Sequence, residues 1–149
     1  MKPELKIKTL PHFGDLPLPA YETEHAAGMD IRAALEQDVV IPPGDRLLIP
    51  TGLQMAIPFG YEAQIRPRSG LAIRQGITML NSPGTIDADY RGEVRVIVIN
   101  HGQQDFIIRH GDRIAQMVVA PVVQVRPVVV DDLPESTRGH GGFGSTGLG

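Results

Sequence analysis

Residues 81–95, NSPGTIDADYRGEVR, hold the most specific combination of chemical groups in the chain. Asp87 and Asp89 stand next to the aromatic Tyr90, and the segment continues through an Arg-Gly pair into a Val/Ile-rich strand. A carboxylate beside an aromatic ring at such a bend suits a pocket for a base and a sugar, and we expect a hairpin here. The alternative is that both aspartates simply form turns, a common role of Asp.

A second segment carries groups suited to binding phosphate. RPRSG at 66–70 precedes the only predicted helix, 69–75, for which Ser69 is the expected N-cap. Free N–H groups at the helix start would hold a phosphate, Gly70 would allow close approach and Arg68 would supply charge. Taken alone, the segment fits a capped surface helix with solvated arginines equally well.

The tail from 134 to 149, PESTRGHGGFGSTGLG, has six Gly among its last eleven residues and is predicted to be a flexible arm. Its G-x-G-x-x-G pattern, starting at Gly139, lacks the flanking strand and helix that a dinucleotide fingerprint requires. The chemistry still suits phosphate, because Gly frees successive N–H groups to wrap phosphate oxygens. Further donors would come from Arg138, Ser145 and Thr146. A disordered terminus without a ligand is the alternative.

Other polar positions are less informative. In GDRIAQ at 111–116 the first three residues recur at 44–46, so the triplet indicates turn entry, and Gln116 is the residue that suggests a site. Asp30, at the start of a predicted strand, is more typical of structure than of chemistry. The five histidines have no metal-ligand spacing and are interpreted as surface residues.

Short strands are predicted to position these groups. Leu53, Met55 and Ile57 alternate with Gln54 and Ala56, the period of a half-buried strand. Seventeen Gly and 13 Pro punctuate the chain, which argues against a helix bundle. The predicted strands cover 28–33, 38–41, 46–49, 53–57, 61–65, 76–80, 94–99, 106–109, 113–119 and 122–130. This pattern predicts an all-β sandwich or barrel in one domain over 1–133.

The segment 122–130, VVQVRPVVV, is expected to form an apolar strand that Pro127 confines to a sheet edge. An uncovered edge of this kind is an aggregation liability. Burial against a neighbouring subunit is the natural remedy, so the segment predicts an oligomer.

Composition excludes several classes of protein. With 14 Lys+Arg against 17 Asp+Glu, the net charge of −3 provides no sequence-independent affinity for nucleic acid. The absence of Cys rules out disulfides, thiolate catalysis and Cys-bound metal centres. The N-terminus, MKPELKIKTL, lacks the apolar core of a signal peptide, and no run of about 18 apolar residues occurs. We expect a soluble cytoplasmic protein that binds neither nucleic acid nor a membrane.

Taken together and in order, five segments resemble the motifs of the trimeric dUTP pyrophosphatase (dUTPase) family. They are AAGMDIRA at 26–33, RPRSGLA at 66–72, NSPGTIDADYRGEV at 81–94, GDRIAQMVV at 111–119 and RGHGGFGSTG at 138–147. The resemblance implies a jelly-roll-like β-barrel assembled as a homotrimer, with a swapped C-terminal strand. Three active sites would lie at the subunit boundaries, and each arm, 134–149, would close the site of a neighbour.

The implied reaction converts dUTP and water to dUMP and pyrophosphate with Mg²⁺, which supplies dUMP for thymidylate synthesis and keeps uracil out of DNA. Asp87 matches the catalytic aspartate that activates the attacking water. Asp30 would reach an Mg²⁺ held mainly by the triphosphate, through water molecules. The residues implied to bind phosphate are Arg68, Ser69, Gly70 and Gln116, joined from the arm by Arg138, Ser145 and Thr146.

The resemblance also implies how uracil and deoxyribose would be selected. Asn81 would read the uracil edge together with backbone groups of Gly84, Thr85 and Ile86, while Phe143 of the arm would stack on the base. Tyr90 would pack under the deoxyribose, where a 2′-OH would need room. Arg95 would line the pocket, although its side chain could equally face solvent.

Two other functions are weighed against this one. A dCTP deaminase of the same superfamily would need a proton-shuttling carboxylate near the base, and the strand VRVIVI at 94–99 supplies none after Glu93. A jelly-roll trimer with a structural or regulatory role is the non-enzymatic alternative. The complete phosphate-binding set and Asp87 argue against it.

Overall fold

The structure is a computed structural model that describes residues 1–149. It contains ten strands, one α-helix and a 3₁₀ turn at Pro11–Phe13. The strands are β1 (Lys6–Thr9), β2 (Met29–Arg32), β3 (Val39–Ile41), β4 (Arg46–Ala56), β5 (Tyr61–Arg66), β6 (Ile77–Met79), β7 (Gly84–Ile86), β8 (Glu93–Asn100), β9 (Phe106–Ile108) and β10 (Arg113–Pro121). The helix is α1 (Ser69–Gln75). The predicted all-β class is confirmed.

The strands form two four-stranded sheets and one pair. Sheet A has the order β1-β4-β8-β6, sheet B the order β2-β10-β5-β7, and β3 pairs with β9. Every pairing is antiparallel. No sheet closes on itself, so the architecture is a jelly-roll-like sandwich and not a closed barrel.

Side chains from both large sheets meet in one core of 22 buried residues. Leu53 and Val98 come from sheet A, while Ile31, Ala63 and Met117 come from sheet B, and each is at most 1% exposed. The alternation predicted for β4 and β5 is the cause, because every second side chain of a strand points to the same face. The core therefore fixes which face of each strand remains for chemistry.

Strand β4 is a single strand where two, 46–49 and 53–57, were predicted. Its pairing with β8 shifts register between Pro50 and Gln54, which is a bulge. Gly52 occupies the bulge with φ of 69°, and a Cβ there would lie 2.8 Å from the Cβ of Phe13. The sequence suggested two strands because the bulge interrupts the alternation without ending the strand.

The predicted hairpin over 81–95 is wrong. Strand β7 pairs with β5 in sheet B, whereas β8 pairs with β4 and β6 in sheet A. Residues 87–92 therefore form a loop that crosses from one sheet to the other. This crossing loop carries Asp87 and Tyr90 on the rim between the two sheets.

Residues 122–130 form no strand in the single chain and are exposed throughout, which corrects the prediction of an edge strand. Strand β10 ends at Pro121, and after the hydrogen bond from Val122 N–H to Gly60 O the segment pairs with nothing in its own chain. Val123 is 86% exposed and Val129 is 98% exposed. This apolar segment therefore has no strand to pair with in its own chain.

The helix prediction is confirmed over 69–75, but its cap is not. Arg68 is the N-cap residue, with extended φ and ψ of −92° and 128°, and Ser69 is the first helical residue. No side chain caps the helix start. Gly76 ends the helix in the left-handed conformation, at φ 69° and ψ 25°.

The only α-helix has seven residues, and no helix of the chain is long and apolar enough to span a membrane.

Candidate active site

Two polar residues of the predicted site, Asp30 and Gln116, align across sheet B with Arg66, which precedes Arg68. In the antiparallel registers Asp30 of β2 faces Gln116 of β10, and Gln116 faces Arg66 of β5. Residues 67 and 68 continue beyond Arg66 into α1. The sheet thus gathers Asp30, Gln116 and the RSG segment, which are far apart in sequence, at one end.

One ion pair and one hydrogen bond hold Arg68 at this end of the sheet. Its Nε lies 3.4 Å from Asp30 Oδ1, and its Nη1 donates to the carbonyl of Arg113 at 3.1 Å. Asp30 Oδ2 lies 3.5 Å from Nη1 of Arg113. Asp30 therefore orients two arginines, which would otherwise repel each other.

Arg113 was missed by the sequence analysis. The GDR triplet was interpreted as turn entry, and for Asp112 that is confirmed, since its Oδ2 accepts the Arg109 N–H at 2.8 Å. The third residue of the triplet has the additional role of pairing with Asp30. Only the register between β10 and β2 reveals this, and the sequence alone does not specify that register.

Gln116 is held by a hydrogen bond at one end of its amide and lies close to Gly28 at the other. Its Nε2 donates to the carbonyl of Pro67 at 3.0 Å, and its Oε1 would lie 2.8 Å from a Cβ at Gly28. The amide thus fixes the segment before α1, where the N–H groups of Ser69 and Gly70 have no intrahelical partner. We name Asp30, Arg68, Ser69, Gly70, Arg113 and Gln116 the anion group.

A second set of predicted residues lines a cleft of about 430 Å³ between β7 and sheet A. Its walls include Thr85, Ile86, Asp87, Tyr90 and Arg95, together with Glu93 and apolar side chains of β4 and β8. Asp87 is exposed, and none of the ion pairs in the chain involves it. Its carboxylate is therefore free to accept a proton or a hydrogen bond.

Strand β7 forms the edge of sheet B, so one side of its backbone lacks a partner strand. In an antiparallel edge strand every second residue turns its N–H and C=O away from the sheet. Asn81 lies just before this strand, with its Nδ2 3.2 Å from the position of a Cβ at Gly84. The edge can therefore offer a planar ligand backbone groups and one amide.

Tyr90 is packed against its own loop. Its hydroxyl donates to the carbonyl of Glu93 at 2.9 Å. A Cβ at Gly92 would lie 2.4 Å from that hydroxyl oxygen and 2.7 Å from the Tyr90 Cζ, so the ring occupies the space that a side chain would fill. Tyr90 as a residue remains 46% exposed and can contact a ligand.

Glu93 and His12 form a pair that the sequence analysis did not predict, since all five histidines were interpreted as surface residues. His12 Nε2 donates to Glu93 Oε1 at 2.5 Å, and the side chains are only 26% and 11% exposed. The interpretation of His12 is therefore wrong. The two residues are 81 positions apart, so no local pattern signals the contact.

The surroundings of Glu93 favour its charged form. Burial alone would raise the pKa of Glu93, but hydrogen bonds from His12 and from the Gly52 N–H, with the charges of His12 and Arg95, outweigh burial. The pKa of Glu93 is therefore held below the ordinary value of 4.5. The ionised carboxylate accepts hydrogen bonds only, so the proton in the pair belongs to His12 Nε2.

The anion group and the cleft lie at opposite ends of β5. Ile86 faces Ala63, so Asp87 follows at the Glu62 end of the strand, where both line a hollow with Val122. Arg68 lies beyond Arg66, at the other end. The strand from 62 to 66 alone spans about 13 Å, at about 3.3 Å per residue. One chain therefore does not bring Asp87 to the anion group.

The arm residues join neither group. Arg138 Nε donates to the carbonyl of Gly141 at 2.7 Å, and the other hydrogen bonds of 134–149 are also internal. Phe143 is fully exposed and has a φ of 52°. Ser145 and Thr146 are likewise exposed. The arm thus presents an aromatic ring and polar donors to solvent.

Comparison with known proteins shows which family this chain resembles. A family model described as dUTPase matches residues 15–147. The deoxyuridine 5′-triphosphate nucleotidohydrolase of Maricaulis maris (strain MCS10) is 60% identical over 145 residues, which are 96% of this chain and 95% of that protein.

Solved structures with the same fold include two phage enzymes. The dUTPase of Staphylococcus bacteriophage 80alpha, solved with dUPNHPP, has a TM-score of 0.89 at 26% identity, over 99% of this chain and 100% of that one. A mutant dUTPase from phage phi11 of S. aureus, solved with a structural Mg(II) ion, has a TM-score of 0.78 at 22% identity, over 87% and 98% of the two chains. Because the family model spans most of the sequence and the Maricaulis relative matches nearly all of it, this chain belongs to the dUTPase family.

Proposed function

We propose that this dUTPase, which hydrolyses dUTP to dUMP and pyrophosphate, works as a homotrimer in which each active site is shared between subunits. One observation carries the proposal: Asp87 and the anion group lie at opposite ends of β5. A nucleoside triphosphate that meets both must therefore bridge the cleft of one chain and the anion group of another. A closed ring of identical contacts repeats that arrangement at every boundary.

The exposed segment 122–130 supports the same assembly. Its valines are 37–98% exposed, and an apolar extended segment in water favours pairing with another chain. We propose that it adds as a strand to a neighbouring subunit. This exchange of the C-terminal strand would leave the single domain, 1–133, intact. It would also place the arm that follows, 134–149, near a site on another chain.

In the proposed site the anion group binds the triphosphate. Arg68 supplies a positive charge, Ser69 and Gly70 supply backbone N–H groups, and the Gln116 amide is a further donor. Asp30 keeps Arg68 oriented through their ion pair. Holding the phosphates in this way would position the α-phosphorus for in-line attack and offset the charge of the transition state.

Asp87 is proposed to activate the attacking water. Its carboxylate is exposed at the cleft and unpaired, so it can accept the proton that the water loses as it attacks the α-phosphorus. The electron pair of the α–β bridging bond would leave with pyrophosphate. The products are dUMP, which feeds thymidylate synthesis, and pyrophosphate.

The cleft is proposed to select uracil and deoxyribose. The unpaired edge of β7 at Gly84–Ile86 and the Asn81 amide can match the donors and acceptors of the uracil edge. A base with a different pattern would leave buried groups unpaired, at a cost of about 1–3 kcal/mol each. Tyr90 would cover the deoxyribose where a ribose 2′-OH would need space, and Arg95 lines the same cleft.

We propose Mg²⁺ as the cofactor, bound mainly by the triphosphate. No group of three His, Asp or Glu side chains is placed to hold a metal ion in the chain, and both Asp30 oxygens already face arginines. This donor set fits an ion that carries its own waters and meets Asp30 through them. When bound, the ion would neutralise phosphate charge that builds up in the reaction.

The arm is proposed to close over the bound triphosphate. Arg138, Ser145 and Thr146 would meet the β- and γ-phosphates, and Phe143 would stack on the uracil. All four are exposed and form no hydrogen bond or ion pair with the body of their own chain, which leaves them available to a neighbour. We place the enzyme in the cytoplasm.

Pyrophosphate release from dUTP, dCTP, dTTP and UTP in the presence of Mg²⁺ tests the proposed selectivity. We expect dUTP to be strongly preferred over the other three nucleotides. Equal turnover of UTP would contradict the proposed role of Tyr90. Release of uracil nucleotides from dCTP would instead indicate the related deaminase reaction.

A further inference from the structure

Three features of the structure hold the Tyr90 ring. Its hydroxyl donates to the Glu93 carbonyl at 2.9 Å, and its ring fills the space left by the absent side chain of Gly92. The third feature is the anchoring of Glu93 itself. If residue 93 moved, the carbonyl that accepts the Tyr90 hydroxyl would move with it.

Glu93 is anchored at the bulge of β4. In the β4–β8 register Gln54 faces Glu93 and Pro50 faces Arg95, so three residues of β4 oppose Val94 alone. The bulge loses its regular ladder bonds, and side chains replace them. Glu93 Oε1 accepts the N–H of Gly52 at 3.0 Å, and Thr51 Oγ1 donates to the Val94 carbonyl at 2.5 Å.

His12 completes the anchor from outside the sheets. It lies on the 3₁₀ turn that packs against Gly52, and its Nε2 donates to the same Oε1 that accepts the Gly52 N–H. Three segments therefore meet at one carboxylate: the 3₁₀ turn, the bulge of β4 and the first residue of β8. None of these groups belongs to the catalytic set.

We infer that Glu93, held by His12 and Gly52, is a positioning residue for substrate recognition, acting through its backbone carbonyl on the Tyr90 hydroxyl. The inference rests on the proposed role of Tyr90 in sugar discrimination. The link is short: the carboxylate fixes residue 93, the carbonyl of that residue fixes the hydroxyl, and the hydroxyl fixes the ring over the sugar end of the cleft.

The Glu93→Gln variant tests the inference. Gln keeps an acceptor for the Gly52 N–H but removes the charge that binds His12. We expect kcat on dUTP to change little, KM for dUTP to rise, and the dUTP:UTP ratio of kcat/KM to fall about 2- to 10-fold, the worth of one hydrogen bond. Glu36→Gln is the matched control, because Glu36 lines the neighbouring cavity with His12 and Glu93 but is exposed.

A double-mutant cycle separates positioning from general destabilisation. Tyr90→Phe removes only the hydroxyl and should lower the dUTP:UTP ratio by a similar factor. If Glu93 acts through that hydroxyl, Glu93→Gln should have no further effect on the ratio in the Tyr90→Phe background. A purely structural role would lower the melting temperature in both backgrounds and leave the ratio unchanged.

Two further variants keep the test independent of one substitution. His12→Gln retains an amide donor for Glu93 and should preserve the dUTP:UTP ratio better than His12→Leu, which retains none. Gly92→Ala should displace the Tyr90 ring, because its Cβ would lie 2.4 Å from the Tyr90 hydroxyl oxygen. We expect it to lower the ratio while the subunits still assemble.

The outcomes distinguish this inference from the proposed function. If Tyr90→Ala narrows the dUTP:UTP ratio but Glu93→Gln leaves it at the wild-type value, the inference fails and the role of Tyr90 stands. Additive effects of Glu93→Gln and Tyr90→Phe would overturn it as well. If Tyr90→Ala itself leaves the ratio unchanged, the proposed role of Tyr90 is wrong, and the inference falls with it.

Discussion

Asp87 and Arg68 lie beyond opposite ends of the same strand, β5. The first follows β7 at the end of β5 where Ala63 faces Ile86, and the second follows Arg66. Since the strand is stiff and its register is set by buried side chains, no small loop movement brings the two side chains together. The separation supports the proposal that this enzyme acts as an oligomer.

The same geometry explains why two polar groups coexist on one sheet. Asp30, Arg68 and Arg113 pair among themselves, so the anion group is stable before a ligand arrives. Asp87 stays unpaired at the other end of the sheet. The proposed general base and the proposed phosphate-binding cations are thereby kept from neutralising each other within one chain.

Replacing the proposed base tests its role. We expect Asp87→Asn to bind a non-hydrolysable dUTP analogue with little change in Kd and to lose about 10²- to 10⁴-fold in kcat, because an amide cannot accept the proton of the water. Single-turnover kinetics and calorimetry measure the two quantities. Asp89→Asn, also exposed in the crossing loop, is the control, and a larger loss of kcat there would reassign the base.

The arm should order only on a triphosphate. Fixing its backbone costs on the order of 1–2 kcal/mol per residue, so several charged oxygens and a stacking surface are needed to offset that cost. The chain has no Trp, so Phe143→Trp introduces a single fluorophore. Its emission should change with the dUTP analogue and Mg²⁺, and much less with dUMP.

Deletion of 134–149 is the complementary change. The truncated protein should keep its number of subunits, because the domain and segment 122–130 remain, and should lose nearly all turnover. Full activity of the truncated enzyme would mean that the arm plays no part in the reaction.

Gly52 is expected to be sensitive to substitution for two separable reasons. Its φ of 69° strains any other residue, and a Cβ would meet Phe13 at 2.8–3.0 Å. Gly60 has a similar φ of 88° but nothing within 4 Å of a Cβ. Gly60→Ala should therefore cost about 1 kcal/mol of unfolding free energy from strain, and Gly52→Ala distinctly more. Equal shifts in urea midpoint would mean that the Phe13 contact is unimportant.

Stability should fall in acid partly through Glu93. Its pKa lies below 4.5 in the folded protein, because hydrogen bonds and nearby positive charge outweigh burial. The stabilisation is thus complete above the unfolded pKa and is lost as the pH falls through the lower, folded value. Urea midpoints from about pH 6 to about pH 3.5 should converge for wild type and Glu93→Gln. A difference between the two urea midpoints that stays constant over this pH range would contradict this role of Glu93.

Local patterns predicted the local structure well. Alternation over 61–65 predicted β5, and the SGLAIRQ segment predicted α1 over its full length. Gly76 helps to explain why the predicted end of the helix is correct, since a glycine in the left-handed conformation ends a helix sharply. Such signals act over a few residues, and a sequence displays them directly.

The errors in the strand assignment involve partners that are distant in sequence. Strand β1 was missed because its residues alternate weakly and pair with residues of β4 that lie 44 to 50 positions away. The crossing loop resembles a hairpin until the pairing of β7 with β5 is known. Residues 122–130 have the composition of a strand but no partner strand in the same chain. A strand needs a neighbouring strand to be stable.

The residues of the candidate site also differ in whether the sequence alone could reveal them. Most of its residues were recognised by their resemblance to family motifs, which does not depend on knowing the pairings. Arg113, His12 and Glu93 were missed because each matters through a contact with a distant segment. Ser69 was assigned as the N-cap from its residue type, whereas the backbone makes Arg68 the cap.

The central claim is that one site takes Asp87 from one chain and Arg68 from another. Asp87→Asn and Arg68→Ala should each be inactive and should each have about three times the chain mass of 16.1 kDa in light scattering. When the two are co-expressed equally, about a quarter of the sites combine an intact Asp87 with an intact Arg68.

Turnover of these mixed oligomers, purified through a different tag on each variant, is the most direct test. Selection for both tags removes the uniform trimers, and each remaining trimer has one boundary in three where an intact Asp87 meets an intact Arg68, so we predict recovery to about a third of the wild-type kcat per site. Arg68→Ala mixed with Gln116→Ala, both in the anion group, should recover nothing. Mixed oligomers of Asp87→Asn and Arg68→Ala that contain both chains and remain inactive would contradict the shared site.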